Sequence, residues 1–292
     1  IFMKPKITVI VPAYNAEKTI EKTLVSLKNQ SFKDFEVIIV DDSSTDNTTN
    51  IAKRFFKNVI KNKGRKGPAG TRNTGIKEAK TEKLAFIDSD CFADKDWIKD
   101  IYEVLEKEDA VMGNVKIPES NYIGNSISLL GFPGGGNLGF KRVWKVRNGY
   151  TDHITSCNFG IKKNVFKKHG FFDDTFPYAG SEDPEFSIKI FKQGVKIKYS
   201  EKPLVYHLPR DSLIGFIKWQ ITRGKGNFHF KRKVGKVGDL IKLRIWYAMN
   251  VITYNLFSKE IFLIVPLLFL SFILQQYGYV IEKINYENKP KH

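Results

Sequence analysis

Short β-branched runs alternate with amphipathic segments over the first 110 residues, and this alternation constrains the fold more than any other feature of the sequence. The first run ends at Pro12, and later runs are followed by segments with apolar residues at helical spacing. The predicted strands are residues 6–12, 35–41, 59–60 and 84–87. Strands that alternate with helices form a mostly parallel sheet with helices on both faces, so the sequence predicts an α/β fold.

Polar and acidic residues follow these strands where each strand ends. Asp41 and Asp42 follow the second strand, and Asp88 and Asp90 follow the fourth. In sheets of this kind, ligands bind beyond the carboxyl ends of the strands. Carboxylate oxygens suit Mg2+ or Mn2+, and a cation held there would neutralise a diphosphate. The alternative is that both acidic pairs are ordinary turn or helix-capping residues.

Four segments resemble, in order, the motifs of glycosyltransferase family 2: Ile7–Asn15, Val40–Asp46, Ala69–Gly75 and Phe86–Asp90. The resemblance covers about residues 4–207. It implies a GT-A (Rossmann-like) fold, in which a mostly parallel sheet is flanked by helices. It also implies an inverting enzyme that uses a nucleotide-diphosphate sugar, with UDP as the expected nucleotide and GDP as the alternative, and a divalent cation, Mn2+ or Mg2+.

The resemblance assigns roles on the donor side of the site. Pro12, Ala13 and Tyr14 would wall the nucleobase. Asp42 would hydrogen-bond the edge of the base. The other expected donor-side contacts are Arg72 near the base and diphosphate, Asp88 and Ser89 on the ribose and sugar side, and Asp90 on the cation.

On the acceptor side, the segment Gly180–Phe186 resembles the acidic motif of the family. By this resemblance Asp183 is the general base, Glu182 lies beside it, and Asn158 lines the acceptor side. The alternative for both acidic residues is stabilisation of a helix start. His207 matches a position where related enzymes carry a further contact to metal or phosphate, and its alternative is a structural histidine.

The charge of the chain limits its partners. It carries 48 Lys and Arg against 31 Asp and Glu, a formal net charge of +17, which favours an anionic partner. A nucleic-acid-binding protein is an alternative, but acidic pairs at the strand ends would repel phosphates unless a cation intervened. A nicotinamide-dependent dehydrogenase would need a Gly-x-Gly-x-x-Gly turn where this chain has Pro12–Asn15. A catalytically inactive GT-A scaffold is the remaining alternative, and the intact acidic set argues against it.

The sequence divides near residue 210. Residues 1–210 are the predicted catalytic domain, with a nucleotide-sugar half (1–115) and an acceptor half (116–210). Residues 211–292 are predicted to form basic amphipathic and hydrophobic helices. Within them, Ile261–Ile281 would reach about 30 Å as a helix, enough to cross a bilayer core.

Basic residues beside an apolar stretch indicate attachment to an anionic membrane surface, here the cytoplasmic face of the cell membrane. The expected acceptor is a saccharide or a lipid-linked saccharide, and nucleic acid is not an expected partner. One membrane span, a shallow hairpin that includes Trp246–Phe257, and an apolar surface buried in an oligomer remain alternatives.

Further expectations concern single segments. Asn15 is predicted to cap the first helix, and the glycine-rich segment Gly131–Gly139 is predicted to be a mobile loop. Cys91 is predicted to be a small buried thiol. Gln220–Arg223 is faintly similar to the Gln-x-x-Arg-Trp motif of processive family members, but Gly224 stands in place of the tryptophan, which argues against processive synthesis.

Overall fold

The computed structural model describes residues 4–235 and 240–288 of the chain. The strands within these residues are β1 (Ile7–Ala13), β2 (Phe35–Asp41), β3 (Val59–Lys61), β4 (Lys83–Ile87), β5 (Cys91–Ala93), β6 (Ala110–Lys116), β7 (Val146–Arg147), β8 (Tyr150–Thr151), β9 (Asn158–Lys162) and β10 (Ile197–His207). They form one mixed sheet in the order β3-β2-β1-β4-β9-β6-β10-β8-β7, and β5 pairs with β10.

The helices flank this sheet and continue beyond it. They are α1 (Ile20–Lys28), α2 (Thr48–Phe55), α3 (Pro68–Glu78), α4 (Trp97–Lys107), α5 (Tyr122–Ser128), α6 (Phe140–Val143), α7 (Lys163–His169), α8 (Glu182–Lys192), α9 (Leu213–Val234), α10 (Leu240–Asn255) and α11 (Ile261–Glu287). A single 3-10 turn covers Gly136–Leu138.

The predicted α/β fold is confirmed. Strands β3, β2, β1 and β4 pair in parallel, because each connection between them crosses over through a helix. The antiparallel strand β9 then joins β4 to β6, and β6 pairs in parallel with β10. The carboxyl ends of β1, β2 and β4 therefore meet at one edge of the sheet.

The main core lies between the sheet and its helices. Strand β1 is buried over its whole length, as expected for a central strand covered on both faces. The rings of Phe86 and Phe159 stack with centroids 4.4 Å apart, across the β4–β9 pair. This packing fixes the strand that carries Asp88 and Asp90 at its end.

Helices α9 and α11 lie against each other at two glycines. A β-carbon on Gly224 would meet the backbone oxygen of Gln275 at 2.2 Å, and one on Gly278 would meet that of Ile221 at 2.1 Å. No side chain fits at either position without separating the helices. This explains why a glycine follows Arg223, where the family motif has tryptophan.

Helix α11 is the one helix among the described residues that is long and apolar enough to cross a membrane, with a mean hydropathy of 1.9. Only 17% of its most apolar stretch is buried within the protein. The predicted hydrophobic helix is therefore present, and most of its apolar surface is uncovered. The predicted C-terminal extension also includes residues 236–239 and 289–292, which lie outside the described residues.

Two local predictions are wrong. Asn15 does not cap α1, which begins five residues later after Thr19. Asn15 instead adopts a left-handed conformation (φ 46°) and its Oδ1 accepts a hydrogen bond from the Thr45 backbone N–H at 2.8 Å. Asparagine tolerates this conformation, so it turns the chain after β1 and ties it to the loop after β2.

The predicted mobile loop Gly131–Gly139 is a packed segment. All five of its glycines have positive φ, which only glycine adopts readily. A β-carbon on Gly134 would meet Cγ2 of Val115 at 2.5 Å, and Leu138 is fully buried. The glycines therefore serve close packing against β6 rather than freedom of movement.

The crossing of α9 and α11 gives a first prediction. Gly224→Ala should lower the free energy of unfolding, because overpacking of this kind costs about 1–3 kcal/mol and outweighs the gain in helix propensity of about 1 kcal/mol. Gly215→Ala in the same helix is the matched control, since a β-carbon there meets nothing closer than 3.6 Å. Chemical denaturation of both variants would measure the difference, and equal stabilities would contradict the tight crossing.

Candidate active site

A cleft of about 700 Å³ opens at the carboxyl edge of the sheet. It brings together all but one of the residues that the sequence predicts for the site. These are Pro12, Ala13, Tyr14, Asp42, Arg72, Asp88, Ser89, Asp90, Glu182, Asp183 and His207. Residues far apart in the chain thus meet in one cavity, which argues against the view that the acidic pairs are unrelated turns.

Arg72, in α3, joins the two sides of the cleft. Its guanidinium donates to Asp88 Oδ1 at 2.7 Å and to Glu182 Oε1 at 3.2 Å. Only 4% of the Arg72 side chain is exposed, and Glu182 is equally buried. Burial alone would lower the pKa of Arg72, but the carboxylates around it, Asp88 foremost, raise the pKa above its ordinary value. Arg72 therefore stays charged and holds both carboxylates in place.

Asp183 lies in the first turn of α8 with one oxygen fixed and one free. Its Oδ2 accepts hydrogen bonds from the backbone N–H and the hydroxyl of Ser156, each at 2.9 Å. Its Oδ1 is buried and has no hydrogen-bond partner among the described residues. Burial, followed by the nearby charge of Glu182, raises the pKa of Asp183 to about 7. A carboxyl group poised in this way can accept a proton near neutral pH.

Asp90 and His207 form the group best suited to a cation. Nδ1 of His207 lies 2.8 Å from the Leu208 carbonyl oxygen, and because a carbonyl only accepts, Nδ1 carries the proton. In a neutral ring, Nε2 then presents a lone pair to Asp90 Oδ2, 3.4 Å away. Two acceptors at this distance need a proton or a cation between them. A carboxylate and an imidazole would together suit a divalent cation.

Cys91 lies in the same cluster, within 4.8 Å of the ligand atoms of Asp90 and His207. Burial raises the pKa of its thiol well above the usual value, so the sulfur stays protonated and is a weak ligand. The structure thus agrees with the expectation of a small buried thiol, in strand β5.

Asp42 lies on the wall of the cleft that also contains Tyr14, which is 59% exposed. The Asp42 carboxylate already accepts from the Gly67 backbone N–H at 2.7 Å and from the Asn62 side chain at 2.6 Å. These bonds orient the carboxylate and tie the start of α3 to the end of β2. Each oxygen retains a lone pair for a further donor, such as the N–H of a base.

Asn158 is not part of the cleft, so its predicted place on the acceptor side is corrected. Its side chain is fully buried and occupied on every side. Oδ1 accepts from the Trp97 indole at 2.8 Å, and Nδ2 donates to the carbonyls of Asn114 and Pro203. Asn158 therefore ties β9 to its neighbours. Cys157 and Ser156, just before it, line the cleft instead.

Helix α9 adds side chains that the sequence does not assign to the site. Trp219, Thr222 and Arg223 line the cleft, together with Arg210 from the segment before the helix. The guanidinium carbons of Arg210 and Arg223 lie 4.7 Å and 5.3 Å from the Trp219 ring centroid. The basic composition of this segment predicts a membrane-facing role, and only the tertiary structure shows that Trp219, Thr222 and Arg223 line the cleft.

Comparison with known proteins identifies the family. Residues 8–170 match the family model of glycosyl transferase family 2. The chain is 28% identical over 257 residues to the Escherichia coli protein WfaP, covering 86% of this chain and 96% of the relative. It is 30% identical over 259 residues to WfgD of Escherichia coli, covering 86% and 93%. Both relatives are UDP-Glc:alpha-D-GlcNAc-diphosphoundecaprenol beta-1,3-glucosyltransferases.

Solved structures share the fold. The mannosyltransferase PcManGT from Pyrobaculum calidifontis, in complex with GDP-Man and Mn2+, superposes with a TM-score of 0.65 at 17% identity, covering 98% of this chain and 88% of that one. Residues 1–349 of Staphylococcus aureus TarS in complex with UDP give a TM-score of 0.53 at 20% identity, covering 98% and 93%. The match of the family model over more than half of the chain, on this fold and with these residues in one cleft, shows that the chain is a glycosyltransferase and belongs to glycosyltransferase family 2.

Proposed function

We propose that the protein transfers a hexose, with inversion, from a UDP-sugar to a hydroxyl group of a lipid-linked saccharide, with Asp183 as general base. The observation that carries this proposal is the free, buried Oδ1 of Asp183, on the wall of the same cleft that contains the Asp90–His207 pair. A proton acceptor and a cation site within one cleft are what a single displacement at a sugar diphosphate requires.

In this proposal, Asp183 carries out the proton transfer and Ser156 orients its carboxylate. Asp183 takes the proton from the acceptor hydroxyl as its oxygen bonds to the anomeric carbon. The bond from that carbon to the diphosphate breaks on the opposite face, and UDP leaves with the electron pair. Ser156 holds the carboxylate of Asp183 through Oδ2, which leaves Oδ1 for the proton.

The donor side binds and orients the nucleotide. Pro12, Ala13 and Tyr14 offer an apolar wall for the base, and Asp42 accepts a hydrogen bond from its edge. Asp88, held by Arg72, faces the ribose and sugar together with Ser89.

Asp90 and His207 would hold the divalent cation, Mn2+ or Mg2+, which supplies positive charge to the departing diphosphate. The hydrogen bond from Nδ1–H to the Leu208 carbonyl orients the His207 ring so that Nε2 faces Asp90. The Mn2+ in the PcManGT complex, which shares the fold, supports a divalent cation in the proposal.

The two Escherichia coli relatives support the donor and the acceptor of the proposal. Their names specify UDP-glucose as donor and a sugar linked to diphosphoundecaprenol as acceptor. The match extends over at least 93% of each relative and reaches beyond the catalytic strands. An acceptor with a lipid chain also agrees with the apolar C-terminal helices.

We further propose that the C-terminal helices bind the cytoplasmic membrane face without crossing the bilayer. The second half of α11 lies beside the basic part of α9: Tyr279 contacts Phe228, and Tyr286 lies under the Arg232 guanidinium, 3.8 Å away. A segment packed against a basic helix does not enter hydrocarbon. The remaining apolar half, 261–274, reaches only about 21 Å, less than the bilayer core of about 30 Å.

The aromatic residues at the turn between α10 and α11 suit this interfacial position. Phe257 is 98% exposed and Phe262 is 83% exposed. The Tyr122 hydroxyl donates to the Lys259 carbonyl at 2.8 Å, which ties the turn to α5 of the catalytic domain. The turn therefore reaches the membrane surface while it stays attached to the catalytic domain.

Replacement of the proposed base tests the function. Asp183→Asn should abolish transfer while UDP binding in the presence of Mn2+, measured by calorimetry, stays within about twofold of wild type, because the amide keeps its shape but cannot accept the proton. Glu185→Gln, in the same helix but outside the cleft, is the matched control and should retain transfer. Turnover by Asp183→Asn near the wild-type rate would refute the assignment.

The raised pKa of Asp183 predicts the pH dependence. Only the carboxylate accepts a proton, so kcat/KM of the wild type should fall about tenfold per unit as the pH drops below about 7. Ser156→Ala removes one hydrogen bond to the charged form and should move this limb to higher pH. A wild-type profile that is flat between pH 5 and 8, or an unmoved limb in Ser156→Ala, would contradict the role of Asp183.

Membrane attachment is tested with vesicles of phosphatidylglycerol and phosphatidylcholine. The double variant Phe257→Ser/Phe262→Ser should lose most of its co-sedimentation with anionic vesicles, because it removes two exposed rings from the interface. Phe191→Ser is the control, since Phe191 is 54% exposed on α8, away from these helices. Undiminished sedimentation of the double variant would contradict this mode of attachment.

A further inference from the structure

A second cavity, of about 420 Å³, lies beside the cleft and is lined by residues of α9, α10, α11 and the stretch 130–144. Its volume falls within the range of about 300–1,000 Å³ that is usual for ligand pockets. Most of its lining is apolar: Leu130, Phe132, Val143, Trp144, Leu243, Tyr247, Ala248, Ile252, Leu268, Phe269 and Phe272. The proposed transfer reaction assigns no role to this cavity.

The polar groups of the cavity wall bond mainly to one another. Gln275 Nε2 donates to Gln220 Oε1 at 2.7 Å, and Asn227 donates to Gln275 Oε1 at 3.3 Å. The Tyr247 hydroxyl donates to the Leu130 carbonyl at 2.7 Å. Arg244 also lines the cavity, with its guanidinium carbon 5.4 Å from the Phe272 ring centroid, and the Trp144 indole N–H has no hydrogen-bond partner among the described residues. The rest of the wall is suited to an apolar occupant.

The cavity connects the active cleft to the uncovered apolar face of α11. Phe132, Trp144 and Arg223 line both the cavity and the cleft. On the other side, Phe269 and Phe272 line the cavity and are 67% and 52% exposed on the surface. An occupant can therefore extend from the apolar surface to the edge of the cleft.

Arg223 stands at the junction and carries a charge without a counterion. Among residues 4–235 and 240–288, no carboxylate forms an ion pair with it, whereas Arg72 has two. Its guanidinium carbon lies 4.6 Å from the ring centroid of Phe132 and 5.3 Å from that of Trp219. Burial lowers the pKa of Arg223 from its ordinary value. A partly desolvated guanidinium on aromatic rings is stabilised by an anion, and it suits phosphate best.

We infer that the cavity binds the hydrocarbon chain of a prenyl-diphosphate-linked acceptor, and that Arg223 at the junction binds its diphosphate. This inference rests on the proposed function, since it extends the acceptor site outward from Asp183. The acceptor sugar then lies in the cleft, the diphosphate at its edge and the chain between α10 and α11. A cavity lined mostly by apolar side chains, with Arg223 where it meets the cleft, matches a single chain with an anionic head.

Binding of prenyl compounds to the full-length protein tests the inference without any transfer assay. The probes are geranylgeranyl diphosphate, geranylgeraniol, isopentenyl diphosphate and inorganic diphosphate, measured by calorimetry in a non-ionic detergent. Geranylgeranyl diphosphate should bind at least about tenfold more tightly than isopentenyl diphosphate, because only the longer chain fills the cavity. Equal affinities of the two diphosphates would overturn the inference.

Filling the cavity is the second arm. Ala248→Phe, on the α10 wall, should weaken binding of geranylgeranyl diphosphate about tenfold or more and leave UDP binding within about twofold of wild type. Met249→Phe is the matched control, because Met249 is the next residue, is 57% exposed and does not line the cavity. Ser271→Leu fills the cavity from α11, and it replaces Ala248→Phe in this experiment if Ala248→Phe fails to fold. Unchanged affinity in the folded cavity variant would contradict the inference.

Removing the charge is the third arm. Arg223→Gln should weaken the binding of geranylgeranyl diphosphate but leave the binding of geranylgeraniol unchanged, because the alcohol has no negative charge for Arg223 to bind. Equal losses for both probes would overturn the role of Arg223. A phospholipid also combines apolar chains with an anionic head, and dihexanoylphosphatidylglycerol is the probe for this alternative. If it displaces geranylgeranyl diphosphate at equal concentration, the cavity is a phospholipid site and the inference is wrong.

The two proposals fail separately. Prenyl diphosphate binding that depends on Ala248 and Arg223, without transfer from any UDP-sugar, would refute the proposed function and keep the cavity assignment. Transfer to a long-chain acceptor that depends on Asp183 but is unaffected by Ala248→Phe would support the proposed function and refute the cavity assignment.

Discussion

The buried ion pairs of Arg72 are the interaction on which the site depends. One guanidinium holds Asp88, at the end of β4, and Glu182, at the start of α8, although 110 residues separate Arg72 from Glu182. Removing Arg72 would leave the carboxylates of Asp88 and Glu182 without this counterion, which is far more costly than loss of a surface pair. The guanidinium of Arg72 thus fixes the donor side and the acceptor side of the cleft relative to each other.

The same interaction sets the properties of Asp183, the proposed base. Glu182 is next to Asp183, and its negative charge adds to the effect of burial in raising the pKa of Asp183, while Arg72 opposes both. The result is a carboxyl group that titrates near neutral pH rather than near 4. A change at Arg72 would therefore affect both the position of the donor contacts and the protonation of the base.

Much of this site follows from local sequence. Asp88 and Asp90 follow a buried strand, so the local pattern predicts their position at the sheet edge. Asp183, in the first turn of α8, is assigned to the site only through the resemblance to the family motif. Asn158 was misplaced because successive side chains of a strand face opposite sides, and only the pairing of β9 with β4 and β6 determines which side Asn158 faces. Asn15 was misplaced because its hydrogen-bond partner, Thr45, lies thirty residues away.

The C-terminal third shows even more strongly that local sequence does not determine which residues line the site. Its basic and aromatic composition indicates a membrane surface, and α11 carries exposed aromatic residues that agree with this. Composition could not show that Trp219 and Arg223 enter the cleft, because α9 is contacted on several sides by other parts of the chain. From the sequence, Gly224 is only a departure from the family motif, which has tryptophan at this position. The structure shows that it packs closely against the backbone of Gln275.

The stereochemistry of the product tests the central claim most directly. In the proposed mechanism, a hydroxyl deprotonated by Asp183 attacks the face opposite the diphosphate, so an α-linked UDP-sugar should give a β-linked product in one displacement. The anomeric proton coupling in the NMR spectrum of the purified product distinguishes the two configurations. A β-linkage is the result that this account predicts, and an α-linkage would contradict it, because retention requires a second nucleophile or attack from the diphosphate side.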